Sequence, residues 1–134
     1  MSFSAYLVGS YERRFGVRTS FQIINPTQND LNVVAAFFDD QENYQTCVKK
    51  KLSPNEIWEI LVSLHVRELK PQFGVVKIIS YKDSLPQEGI VGFQRQFLIT
   101  PRTTEVAFSE TTLPAVPTAL AEAELAKVLE RCGK

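Results

Sequence analysis

Residues 21–62 constrain the fold more than any other part of the chain. They read as an apolar run, an Asn25-Pro26 turn, a second apolar run, an acidic turn at 39–43, a polar run, a Ser53-Pro54-Asn55 turn and a third apolar run around Trp58. Short strand-forming runs broken by turn residues are the pattern of antiparallel β-structure. The run at 31–38 is apolar on both faces: Val33, Ala35 and Phe37 alternate with Val34, Ala36 and Phe38. A strand apolar on both sides is covered on both sides. A second such run, 74–82, sets Val75, Ile79 and Tyr81 opposite Val76 and Ile78, with Lys77 interrupting one face.

The remaining segments follow the same pattern. Alternation predicts strands at 3–8, 17–24, 44–51, 57–62, 90–100 and 105–109, with 9–16 as a loop, 101–104 as a turn and 63–73 as a short helical turn ended by Pro71. Every proline falls between strand runs. Lys49-Lys50-Lys51 marks 44–51 as an edge strand, blunted by charge against pairing with other edges. Gly92, inside a strand run, predicts a bulge or a close backbone approach. Residues 112–117, with Pro114 and Pro117, form an extended linker. Thr118 is placed to cap a helix at 119–132 whose Ala121, Leu125, Val128, Leu129 and Cys132 share one face. The expected architecture is all-β: an antiparallel β-sandwich of about seven or eight strands with one C-terminal α-helix. Residues 1–112 form the sandwich domain; residues 113–134 form the linker and an amphipathic helix packed on the sandwich or on a partner.

Charge and composition narrow the function classes. Among 134 residues, 15 Lys and Arg balance 15 Asp and Glu, which gives no electrostatic case for nucleic acid. No apolar stretch approaches the roughly 20 residues that span a bilayer as a helix. The first residues lack a basic region followed by a long apolar one, so no export signal is expected. Cys47 and Cys132 are therefore expected to be free thiols in a cytoplasmic protein. Two cysteines and the single His65 do not make a structural zinc site, and the acidic turn lacks the glycine and ligand spacing of a calcium loop. His65 lies near Ser63 and Glu68, but no nucleophile-elbow glycines surround Ser63. No catalytic residue, metal or cofactor is expected.

Two sets of residues remain as site candidates. Tyr11, Arg13 and Arg14, with Tyr44 and Trp58, combine stacking rings and cations and are candidates for ligand binding. Leu125, Val128 and Leu129 are candidates for a partner interface, because two strands apolar on both faces need a cover that a two-layer sandwich alone does not supply.

The segments Phe21-Gln22-Ile23-Ile24-Asn25-Pro26, Val33-Val34-Ala35-Ala36-Phe37-Phe38-Asp39 and Leu52-Ser53-Pro54-Asn55-Glu56-Ile57-Trp58 resemble bacterial immunoglobulin-like sandwich modules. Their order of apolar strand ending in Asn, acidic-tipped hairpin and proline-marked turn is also similar to the soluble sandwiches of the sensory-rhodopsin-transducer family. The resemblance implies a non-enzymatic binding or assembly module, often oligomeric. The expected function is thus an interaction or assembly module, a homo-oligomer or the binder of a protein partner; the alternative is a carbohydrate- or small-ligand-binding sandwich. Aromatics gathered in a groove would favour a ligand, and a flat apolar patch on a sheet would favour a partner.

Overall fold

A computed structural model describes residues 4–99 and 105–133, and for residues 99 and 105–108 the backbone alone. Two antiparallel sheets stack face to face. The first orders β1 (Tyr6–Glu12), β6 (Phe73–Lys82), β3 (Leu31–Asp39) and β4 (Tyr44–Leu52), with the short β7 (Leu85–Pro86) paired to the end of β6. The second orders β5 (Ile57–Leu61), β2 (Val17–Ile24), β8 (Val91–Ile99) and β9 (Glu105–Thr112). A four-residue helix, α1 (Val62–His65), follows β5, and α2 (Ala121–Cys132) follows the last strand. The chain is thus an all-β sandwich with a C-terminal helix. The expected turn at 101–104 and the start of the first strand at residue 3 lie outside the described residues.

The two-sided apolar runs are the two central strands of the first sheet. The inward faces of β3 and β6 (Val33, Ala35, Phe37, Val76 and Ile78) join Phe21, Ile23 and Ile60 of the second sheet in the core between the layers. Their outward faces supply Val34, Ala36, Phe38 and Ile79, which pack with Ala121, Leu125, Val128 and Leu129 of α2 in a second cluster. The helix is the third layer. Burial of Leu125, Val128 and Leu129 contributes about 1.5–3 kcal/mol each to holding it there. Lys77, which interrupts the outward face of β6, is accommodated by an ion pair with Glu124 of α2 at 2.8 Å.

Several elements differ from the sequence expectation. The first strand runs on through residues that read as a loop, because the whole of Tyr6–Glu12 pairs with β6. Gly9 sits in its interior for a packing reason: a Cβ there would lie 2.7 Å from Leu113 Cδ2. Gly92 is a close approach to the same leucine, with the β8 irregularity falling instead between Gln96 and Phe97. Pro86 lies inside a strand, β7, but a two-residue one at a sheet edge, where the missing N–H costs no ladder bond. The last strand extends to Thr112. Residues after it are more than a spacer: Val8 N donates to Pro114 O (3.0 Å) and Val116 N donates to Tyr6 O (2.9 Å), so the linker covers part of the free edge of β1. Thr118 does not cap α2. It begins a short 3-10 turn, Thr118–Leu120, and its hydroxyl lies 3.2 Å from Glu88 Oε1.

The free-thiol expectation is overturned. Cys47 of β4 and Cys132 at the end of α2 form a disulfide, with Cα atoms 5.8 Å apart. The sequence separation of 85 residues concealed a pair that the docking of α2 brings together.

The Asn25-Pro26 turn also carries more than chain reversal. Asn25 is fully buried; its Nδ2 donates to Asn29 O (2.7 Å) and Leu52 O (3.0 Å), and its Oδ1 accepts from Thr27 N (3.0 Å). Its carbonyl accepts from Asn55 N at 2.7 Å, tying the β2–β3 turn to the β4–β5 turn. Asn25→Ala orphans buried groups in both turns and is expected to cost about 2–4 kcal/mol. The urea midpoint measures this, and a shift worth under about 0.5 kcal/mol would show that the turns do not depend on the bonds.

Candidate functional site

Two surfaces stand out. The first is the outer face of the second sheet. Alternation from the core residues Phe21, Ile23 and Ile60 sends Ile24, Ile57, Leu61, Val91 and Phe93 outward. No helix or strand lies across this face among the described residues, in contrast to the outer face of the first sheet. Ile57 is 59% exposed, and Ile24, Leu61, Val91 and Phe93 are partly exposed. Charges of both signs are interleaved: Arg18 and Arg95 project from β2 and β8, Glu59 and Glu110 from β5 and β9. Arg95 stands 5.2 Å over the Phe97 ring. The face is part-apolar and balanced in charge, and Phe97, which shares it by register, is buried.

The second surface is a cleft of about 340 Å³ between the β3–β4 hairpin tip and α2. Phe38 and Val128, both buried, form its floor. Glu42, Asn43 and Tyr44 form one wall, and Glu124, Lys127 and Arg131 of α2 form the other. The Tyr44 ring meets Phe38 edge to face at 5.9 Å, and Arg131 Cζ stands 5.8 Å from the Tyr44 ring centre. Burial raises the Tyr44 hydroxyl above its ordinary pKa, opposed by Arg131. Tyr6, packed in the same outer cluster, is pushed up to about 12 by burial, reinforced by Glu124 and Glu42. The hairpin tip is held by Asp39. Its Oδ1 accepts from Gln41 N (2.8 Å) and Asn43 N (2.9 Å), and these bonds, chiefly those from Asn43, hold its carboxyl below the usual range.

The residues expected to bind a ligand are not gathered in one place. Tyr11 is a core residue, 1% exposed, whose hydroxyl donates to Phe38 O at 2.8 Å. Its ring meets Phe37 edge to face at 5.9 Å inside the sandwich, so it is not a surface aromatic. Trp58 is turned inward and packs on the same core. Arg13 is a structural clamp: Nη1 donates to Leu69 O (2.5 Å) and Pro71 O (3.3 Å), fixing the α1–β6 connection. Arg14 pairs with Glu12 at 2.7 Å and lies over Phe73. Tyr44 alone of the five lines a cleft. Leu125, Val128 and Leu129, expected at a partner interface, are spent on the chain's own sheet. His65 Nδ1 accepts from Leu61 N at 2.9 Å, which orients the α1 turn.

Sequence reasoning missed the cleft cations, since 42–44, 77 and 124–131 are separate segments. The outward set of β2, β5 and β8 was legible as alternation, but not as an uncovered face.

No known family model matches the chain, and no curated protein matches it in sequence. The chain is similar in fold to a solved structure from Thermotoga maritima, the protein Thermotoga maritima 1070. The TM-score is 0.64 at 10% sequence identity, over 87% of this chain and 97% of that one. At that identity the likeness is one of fold, and it extends over nearly the whole of both chains.

Proposed function

We propose that this chain is a non-enzymatic assembly module that associates with a second copy of itself through the outer face of the β5-β2-β8-β9 sheet. The observation that supports this reading is the asymmetry of the sandwich: α2 covers one outer face, while Ile57, Phe93 and their neighbours leave the other part-apolar and, among the described residues, without a covering helix or strand. The occupant argued for is another copy because the face carries both signs of charge and the chain has zero formal net charge. Two copies with both signs of charge on this face meet without net like-charge repulsion. The aromatic residues expected to stack on a carbohydrate are dispersed, with Tyr11 in the core and Trp58 turned toward it, which weakens that alternative. An oxidising compartment, rather than the reducing cytoplasm, is favoured as its place of work, because there the Cys47–Cys132 bond persists.

Ile57→Lys combined with Phe93→Lys places like charges on the proposed face. Light scattering is expected to report a monomer for this variant at concentrations where the unaltered chain is larger. The melting temperature should stay within a few degrees, because neither side chain belongs to the inter-sheet core. A variant that folds and keeps the unaltered chain's mass would place the interface elsewhere.

A further inference from the structure

We propose that the cleft between the β3–β4 hairpin tip and α2 binds a small ligand carrying a carboxylate or phosphate, the anionic group lying between Lys127 and Arg131 and the ligand's carbon skeleton against Tyr44. This site is separate from the sheet face and goes beyond the assembly reading.

The charge count decides the sign of the ligand. Lys77, Lys127 and Arg131 line the cleft against Glu42 and Glu124. Lys77 and Glu124 satisfy each other at 2.8 Å with side chains only 16% and 19% exposed. What remains is two cations facing one carboxylate. Among the described residues neither Lys127 nor Arg131 makes an ion pair, and Arg131 is engaged only with the Tyr44 ring. The helix dipole accounts for a cation in the last turn, which covers Arg131 but not Lys127 one turn earlier. Spaced four residues apart, the two heads project from neighbouring turns of one helix face. A guanidinium beside an ammonium is a general receptor for carboxylate and phosphate.

The walls are fixed in advance. The disulfide and the Lys77–Glu124 pair anchor α2 to β4 and β6, and the Asp39 bonds set the hairpin tip. The backbone of the site held this way needs no rearrangement to bind, and the ordering left to the ligand is that of the Lys127 and Arg131 side chains. Its volume, about 340 Å³, falls in the range of small-molecule sites.

Three probes test the assignment by amide chemical-shift titration of the folded, oxidised chain: glucuronate, glucose 6-phosphate and glucose. At least one anionic probe is expected to give saturable shifts centred on residues 42–44 and 124–131, and glucose none; which anion binds more tightly separates carboxylate from phosphate recognition. Lys127→Gln with Arg131→Gln should weaken that binding by about tenfold or more, and Glu42→Gln should strengthen it severalfold. A purely structural role for these side chains predicts neither change. The spectrum of each variant reports whether it is folded, and Lys127→Gln alone serves if the double variant is not. The proposal is overturned if neither anion saturates, if glucose binds equally well, or if the substitutions leave the affinities unchanged. None of these outcomes depends on the mass of the chain in solution, so failure here is separable from failure of the assembly reading.

Discussion

Replacing Leu125 and Leu129 together by aspartate is expected to unseat the apolar face of α2 from the sheet, the helix remaining tethered through Cys132, and to lower the melting temperature by roughly 20 °C or more. Leu125 is wholly buried and Leu129 is 5% exposed, both against Val34, Ala36, Phe38 and Ile79. Each substitution forfeits about 1.5–3 kcal/mol of apolar burial and adds the cost of a carboxylate with no partner. Together they remove about 5 kcal/mol or more, a large share of the roughly 5–15 kcal/mol that stabilises a domain. Apolar surface uncovered on β3 and β6 should bind a hydrophobic dye. Calorimetry gives the melting temperature; an unchanged value would mean that the helix contributes nothing as a third layer.

Cys47→Ser is expected to cost about 2–4 kcal/mol, because the bond closes a loop of 85 residues in the unfolded chain. The same loss should follow from treating the unaltered chain with a dithiol reductant, while the variant should not respond to reductant at all. Alkylation without reductant, read by intact mass, should label neither cysteine. Labelling of both in freshly purified protein would contradict the bond and restore the free-thiol expectation. The denaturation midpoints separate a bond that stabilises from one that forms without consequence.

The parts of the fold legible in the sequence were those written in local chemistry. The double-faced apolar runs became the central strands β3 and β6, since only central strands between two layers are covered on both sides. The lysine run became the edge strand β4, where Lys50 pairs with Glu56 and Lys51 with Asp30. The Asn-Pro and acidic turns fell where turn chemistry placed them. What was illegible depended on partners far along the chain. Gly9 and Ser10 look like a loop until β6 pairs with them. Tyr11 looks like a surface aromatic until the carbonyl of Phe38, 27 residues away, takes its hydroxyl into the core. That the helix would cover an apolar sheet face was legible in its amphipathic pattern and in the double-faced strands; which face it takes, and the register that sets Cys132 beside Cys47 and opens the cleft, was not.

The assembly reading is tested most directly by sedimentation velocity of the unaltered, oxidised chain over a concentration series. A species heavier than the monomer is expected, growing in proportion with concentration and lost in the Ile57→Lys, Phe93→Lys variant. A single monomer boundary at every concentration up to the millimolar range would contradict it, and the outer face of the second sheet would then need no second copy.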